Sequence, residues 1–129
     1  MSDLAKRAVA CQNWKWKRGM AAVTASGAHF LRGTDTWEWD DHGALPGGPP
    51  QSEIAALLAG EILPDLDDPA TLGCLLALVR EAWGDPSVSC TMTFGGGWRV
   101  LVMLQDRLVR HFYGPTEAAA LVAALEVAT

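Results

Sequence analysis

The spacing of apolar and polar residues changes along the chain at a stretch rich in glycine and proline. Residues 2–11 place apolar side chains at helical spacing behind Ser2, a residue type that caps helices, and predict a short helix. Three short segments separated by turn residues predict strands over 20–25, 29–33 and 36–40. Residues 43–50 then hold three glycines and three prolines, which neither a helix nor a central strand tolerates. The pattern predicts an N-terminal helix and β section over 1–42, a loop over 43–51 and a second section over 52–129.

Helical spacing recurs three times in the second section, over 52–60, 65–84 and 115–128. Asp68 is the predicted cap of the longest of these helices, with Pro69 in its first turn and Gly84 at its end. Thr116 is the predicted cap of the last.

Between the last two helices, three apolar segments predict an antiparallel meander over 87–94, 98–104 and 107–114, with a hairpin turn at 95–97. The first segment alternates, so that Val88, Cys90, Met92 and Phe94 share one side. The second is apolar almost throughout, and we expect both of its faces to be covered. The α-β-β-β-α order predicts an α+β fold in which helices pack on an antiparallel sheet, in a single domain of 129 residues.

Charge is distributed unevenly around a net value of −5. Residues 1–32 carry six bases against one acid, a sum of +5, and the other 97 residues sum to −10. The acidic total argues against binding of extended nucleic acid, which needs a broad basic face. Double-stranded RNA-binding domains share the α-β-β-β-α order, but the last predicted helix here has two glutamates and no base, which excludes them. The two regions of opposite charge are expected to attract each other, within one chain or between protomers.

Several classes of protein are not indicated by the sequence. No apolar run approaches the roughly 20 residues that a membrane helix needs, and the charged residues 1–11 do not form a signal peptide, so we expect a cytosolic protein.

Three widely spaced cysteines predict free thiols. Asp40, Asp41 and His42 are weak metal-ligand candidates beside the glycine–proline loop, and we expect neither a metal nor a cofactor. No local nucleophile, histidine and carboxylate indicate catalysis, so the protein is predicted not to be an enzyme.

Tryptophans mark the candidate binding site. Four of the six occur in two W-x-W pairs, and in a strand such a pair places both indoles on one face. Indole faces stack on nucleobases, and nearby lysine or arginine contacts phosphate. The candidate ligand-binding residues are Trp14, Lys15, Trp16, Lys17, Arg18, Arg32, Trp37 and Trp39. The alternative is that these indoles fill the core or an interface between protomers, and their number leads us to expect a homo-oligomer.

Residues 63–86, the strand that begins at Trp98 and residues 114–128 resemble a family of small bacteriophage and prophage proteins. The second half of the chain is similar to the phage ABA sandwich domain, and residues 3–20 resemble the start of the same phage proteins, whereas 21–62 have no counterpart. The resemblance assigns no functional residue.

The resemblance implies a phage-encoded accessory protein in the host bacterial cytoplasm, with a counter-defence role. One route is a sponge that sequesters a small nucleotide immune signal. A second is inhibition of a host defence protein by the acidic surface, in the manner of anti-CRISPR proteins. A third is a structural or regulatory phage protein.

Overall fold

The elements of the fold come from a computed structural model, which describes residues 2–25, 27–34, 36–39, 60–104 and 108–128. They are α1 (Ser2–Ala10), β1 (Ala21–Thr24), β2 (His29–Arg32), β3 (Trp37–Trp39), β4 (Ile62–Pro64), α2 (Pro69–Trp83), β5 (Ser89–Met92), β6 (Trp98–Met103), β7 (Val109–Gly114) and α3 (Glu117–Val127). This confirms the α+β class and the α-β-β-β-α order of the second half. The predicted loop at 43–51, and the predicted helix at 52–60 except for its last residue, lie outside the described residues.

The first sheet has four antiparallel strands in the order β3-β2-β1-β4. Within it, Ala22 faces Phe30 of β2 on one side and Pro64 of β4 on the other. The sequence did not predict β4, because it has three residues and ends in proline. Proline is tolerated there because β4 is an edge strand and needs fewer backbone donors. The sheet therefore draws strands from both predicted sections.

The second sheet is the predicted meander, in the order β5-β6-β7. Its register aligns Val100 with Cys90 and with Phe112, so one face of the sheet bears buried side chains. Helix α3 packs across that face and α2 packs on α3. No described helix lies on the opposite face, where Met103 at the end of β6 is 52% exposed. Within the described part of the chain, the expectation that both faces of β6 are covered is therefore not met.

The alternation predicted for β5 holds only at its start. Val88 is fully buried and Cys90 is half-buried, but Met92 and Phe94 are exposed. Met92 lies in the last row of the sheet, and Phe94 belongs to the turn beyond it.

The predicted helix ends are confirmed by hydrogen bonds. The Asp68 carboxylate accepts from the backbone nitrogen and the hydroxyl of Thr71, each at 2.9 Å, and Gly84 ends α2 with a left-handed φ of 65°. Thr116 accepts from the backbone nitrogen of Ala119 at 3.1 Å. The buried Thr71 hydroxyl also accepts from the backbone nitrogen of Ala21 at 2.8 Å, which ties the start of β1 to the first turn of α2.

Gly114 is expected to be essential where β7 meets α3. A Cβ at this position would lie 2.5 Å from the backbone nitrogen of Ala120 and 2.7 Å from Cβ of Ala119. Gly114→Ala should therefore lower the free energy of unfolding by about 1–3 kcal/mol. The matched control is Gly73→Ala, inside α2 with nothing within 4 Å, which should raise it by about 1 kcal/mol. Urea denaturation of both variants measures this, and equal effects of the two would contradict the packing argument.

Candidate functional site

The two W-x-W pairs meet through one side chain from each. The indoles of Trp14 and Trp16 are 5.3 Å apart at 84°, and those of Trp16 and Trp37 are 4.8 Å apart at 80°. The backbone brings them together, because the amide of Gly19 donates to the carbonyl of Arg32 at 2.9 Å. Residues 14–17 belong to no strand of either sheet. Trp14 and Trp16 nevertheless both pack against the hydrophobic core, while the two lysines that follow them share one carboxylate.

These indoles contact each other edge to face, and this limits what else they can stack on. Trp14 and Trp16 are half-buried against the hydrophobic core, and the indole nitrogen of Trp14 is buried without a hydrogen-bond partner in the described part of the chain. The core interpretation therefore holds for part of each ring. Trp39 pairs with Phe30 through the backbone of β3, and its side chain lies outside what the structure describes.

Two of the candidate cations share one carboxylate. Nζ of Lys17 lies 2.7 Å from one oxygen of Glu81, and Nζ of Lys15 lies 3.3 Å from the other. The hydrogen bond from Lys17 is the main cause that lowers the pKa of Glu81, against a smaller opposing effect of burial. Glu81 lies on α2, 64 residues from Lys17, so no signal along the sequence pointed to it.

The remaining candidate cations differ in environment. Arg18 is exposed. The guanidinium of Arg32 lies 5.1 Å from the centre of the Trp37 ring, and its Nε is buried without a hydrogen-bond partner among the described residues. Thus the guanidinium of Arg32 packs on the ring of Trp37, whereas the side chain of Arg18 is exposed to solvent.

Attraction between the basic N-terminal region and the acidic remainder is confirmed within the chain. Besides the contacts to Glu81, Arg7 lies 2.6 Å from Glu126, and Lys6 lies 4.0 Å from Glu61. Exposed pairs of this kind contribute at most about 1 kcal/mol each. Their main effect is to reduce the positive field of the N-terminal region.

A cleft of about 340 Å³ lies beside the predicted residues. It is lined by Gln12, Asn13, Trp14, Lys15, Leu78, Glu81 and Ala82. Its volume falls in the range of small-ligand sites, and it combines an indole, an apolar patch and an ammonium group. Sequence reasoning found Trp14 and Lys15 but missed the residues that α2 contributes, because only the packing of α2 brings them there.

A second cleft, of about 380 Å³, lies between α1, the end of β1 and β4. Its apolar wall carries three carboxylates, those of Glu61, Asp65 and Asp67, together with Lys6. The carboxylates repel phosphate, so this cleft does not suit a nucleotide. Its chemistry fits a cationic group.

The cysteines are free thiols, as predicted, and each is half-buried. Burial raises the pKa of Cys90 to about 11, and burial is also the main cause that raises the pKa of Cys11 and of Cys74. All three are therefore protonated at neutral pH, which makes them poor nucleophiles.

No protein-family profile, curated protein or solved structure matches the chain, so the resemblance to phage proteins stays a prediction. Over the described ranges, no helix is long and apolar enough to cross a membrane. In the same part of the chain, no group of three or more His, Cys, Asp or Glu side chains is arranged to hold a metal ion. Asp40, Asp41 and His42 lie outside the described residues, and the metal hypothesis for them stays untested.

The contact between Glu81 and the two lysines predicts a pH dependence. Because the pKa of Glu81 is lowered in the folded state, its contribution to stability is present above its ordinary pKa of about 4.3 and is lost as the pH falls through the folded value. The wild type should therefore exceed Glu81→Gln in unfolding free energy at pH 7 by at most about 1 kcal/mol, since the pair is exposed. Urea denaturation at pH 7 and pH 3 measures the difference, which should be smaller at pH 3; a constant difference would refute the assignment.

Proposed function

We propose that this chain is a non-enzymatic binding protein whose cleft beside Trp14 holds a small nucleotide. The observation that carries the proposal is the cleft itself, where an indole, an apolar patch from α2 and the Lys15 ammonium line one space, with Lys17 nearby. A base stacked on an aromatic ring gains about 1–3 kcal/mol, and an ammonium group attracts the phosphate.

The two lysines have different roles in this proposal. Lys17 lies 2.7 Å from Glu81 and is 26% exposed, whereas Lys15 is 64% exposed and holds the same carboxylate more loosely at 3.3 Å. A phosphate entering the cleft competes with Glu81 for Lys15. Glu81 therefore lowers the affinity for an anion, while Lys17 keeps its carboxylate in place.

Substitutions at the two partners should act in opposite directions. Lys15→Ala should weaken binding of a nucleotide about tenfold, because a charged hydrogen bond to phosphate is lost. Glu81→Gln should strengthen binding several-fold, because both ammonium groups lose their competing carboxylate. The charge-matched control is Lys6→Ala on α1, which should leave the affinity unchanged.

Thermal melting against a panel of linear and cyclic nucleotides identifies the ligand. A ligand at 100 times its Kd should raise the unfolding free energy by about 2.7 kcal/mol, a shift of several degrees in Tm. Isothermal calorimetry then compares the nucleotide affinity of the variants with that of the wild type. Incubation of the nucleotide with the protein for hours should leave the nucleotide chemically unchanged, because the protein binds it without turnover. The proposal fails if no nucleotide shifts the melting temperature, or if both variants bind as the wild type does.

In the phage setting that the sequence resemblance implies, such binding would make the protein a sponge for a nucleotide immune signal in the host bacterial cytoplasm. We expect the protein to form a homo-oligomer, and light scattering measures the mass of that assembly. Each protomer would then contribute one such cleft to the sponge.

The second candidate function is inhibition of a host defence protein, and the acidic cleft favours it. Glu61, Asp65 and Asp67 offer carboxylates to a basic partner around an apolar wall. Association through them should weaken with salt and with the double change Asp65→Asn and Asp67→Asn. If the wild-type protein shows neither nucleotide binding nor salt-sensitive association with a protein, the structural or regulatory role is the remaining candidate.

A further inference from the structure

The outer face of the β5-β6-β7 sheet is the side opposite α3, and no described element covers it. Because alternate residues of a strand point to opposite faces, the buried Val100, Val102 and Phe112 fix which side chains point outward. The register arranges these outward residues in rows across the three strands. Two of the rows are Thr91–Arg99–Tyr113 and Ser89–Leu101–His111.

Two exposed aromatic rings stand in parallel on this face. The rings of His111 and Tyr113 are 6.2 Å apart with only 8° between their planes, and Tyr113 is 63% exposed. Unlike Trp14, Trp16 and Trp37, which contact one another edge to face, these two rings are parallel and both side chains are exposed. Flat exposed rings on an open antiparallel sheet are suited to stacking with unpaired bases.

The charge on this face differs from that of the chain as a whole. The three strands contain no aspartate and no glutamate, although the protein has a net charge of −5. Arg99 lies directly opposite Tyr113, and no carboxylate pairs with it in the part of the chain that the structure describes. By contrast, Lys6, Arg7 and Lys17 each contact a glutamate. The Arg99 side chain is half-buried, and its Nε is buried without a hydrogen-bond partner among the described residues. Its guanidinium therefore still lacks an acceptor in that part of the chain.

The size of the face selects among partners. Three strands about 4.8 Å apart and about five residues long cover about 15 by 17 Å, or about 250 Å². A stable dimer buries about 800 Å² on each partner, so this face alone is too small to hold a second copy. Sheets that stack single-stranded RNA bind two or three bases, which matches this area.

We propose that the outer face of the β5-β6-β7 sheet binds a short single-stranded nucleic acid. Tyr113 and His111 stack on neighbouring bases, Arg99 contacts a phosphate, and the hydroxyl of Thr91 lies at the end of the same row. The face spans two or three nucleotides, so the expectation that the acidic chain does not bind extended nucleic acid is retained. The site is separate from the cleft beside Trp14 and does not depend on the nucleotide proposed there.

Fluorescence anisotropy of the full chain with a labelled thymidine octanucleotide and a labelled uridine octanucleotide tests the proposal. We expect micromolar binding of both single strands and much weaker binding of a DNA duplex of the same length. Tyr113→Ala should weaken binding about tenfold, while Tyr113→Phe, which keeps the ring, should bind as the wild type does. Circular dichroism melting of each variant checks that the fold is intact.

The salt dependence isolates the role of Arg99. Each phosphate contact with a single strand contributes about 0.7 to the slope of log Kd against log salt, so Arg99→Ala should lower that slope by about 0.7. Arg99→Lys should keep the slope, and Lys6→Ala, which removes one positive charge from α1, should keep both slope and affinity.

Three outcomes overturn the proposal. The first is that neither octanucleotide binds at a protein concentration 100-fold above the micromolar Kd that we expect. The second is equal weakening by Tyr113→Ala and Tyr113→Phe, which would exclude stacking. The third is binding of a polyglutamate peptide as tightly as the oligonucleotides, which would assign the face to an acidic protein segment instead. Nucleotide binding at the cleft beside Trp14 is measured separately. Lys15→Ala should weaken binding there without changing the affinity for the octanucleotides, so the failure of one proposal can be distinguished from the failure of the other.

Discussion

Burial of the closing helix on nearly all its sides is the constraint on which the rest of the structure depends. Apart from Glu117 and Glu126, α3 consists of alanine, leucine and valine, and it contacts α1, α2 and all three strands of the second sheet. Its alanines let the neighbouring elements approach closely, and Gly114 provides the closest approach. A helix without a polar face must be surrounded by protein, so the other elements are arranged around it.

The end of α3 also determines the position of the candidate cleft. The carbonyl of Ala124 accepts from the indole nitrogen of Trp83 at 2.9 Å, and the carbonyl of Ala128 accepts from the side-chain amide of Asn13 at 3.1 Å. These bonds hold α2 and the segment after α1 against the same end of one helix. The space between them is the cleft beside Trp14, and Glu81 of α2 therefore meets the two lysines.

The same arrangement leaves two surfaces with different chemistry. The basic side chains near the N-terminus lie beside α2 and α3, and the glutamates of these helices neutralise much of the positive charge. The second sheet, by contrast, has a described helix on one face only. Two aromatic rings are exposed on its other face, where the half-buried Arg99 has no carboxylate partner among the described residues. Local pairing of charges, rather than the net charge of the chain, thus decides which cations remain available to a ligand.

The sequence by itself determined those features that depend on neighbouring residues: the two helices capped by Asp68 and Thr116, the hairpin at 95–97, and the α-β-β-β-α order. It also identified Trp14 and Lys15 of the candidate cleft. Only the tertiary structure decided the remainder: β4 as an edge strand, Glu81 as the partner of both lysines, and the face of β6 that no described helix covers. Caps and periodicity act within one or two turns of chain, whereas these contacts join residues far apart in sequence and depend on how the helices pack.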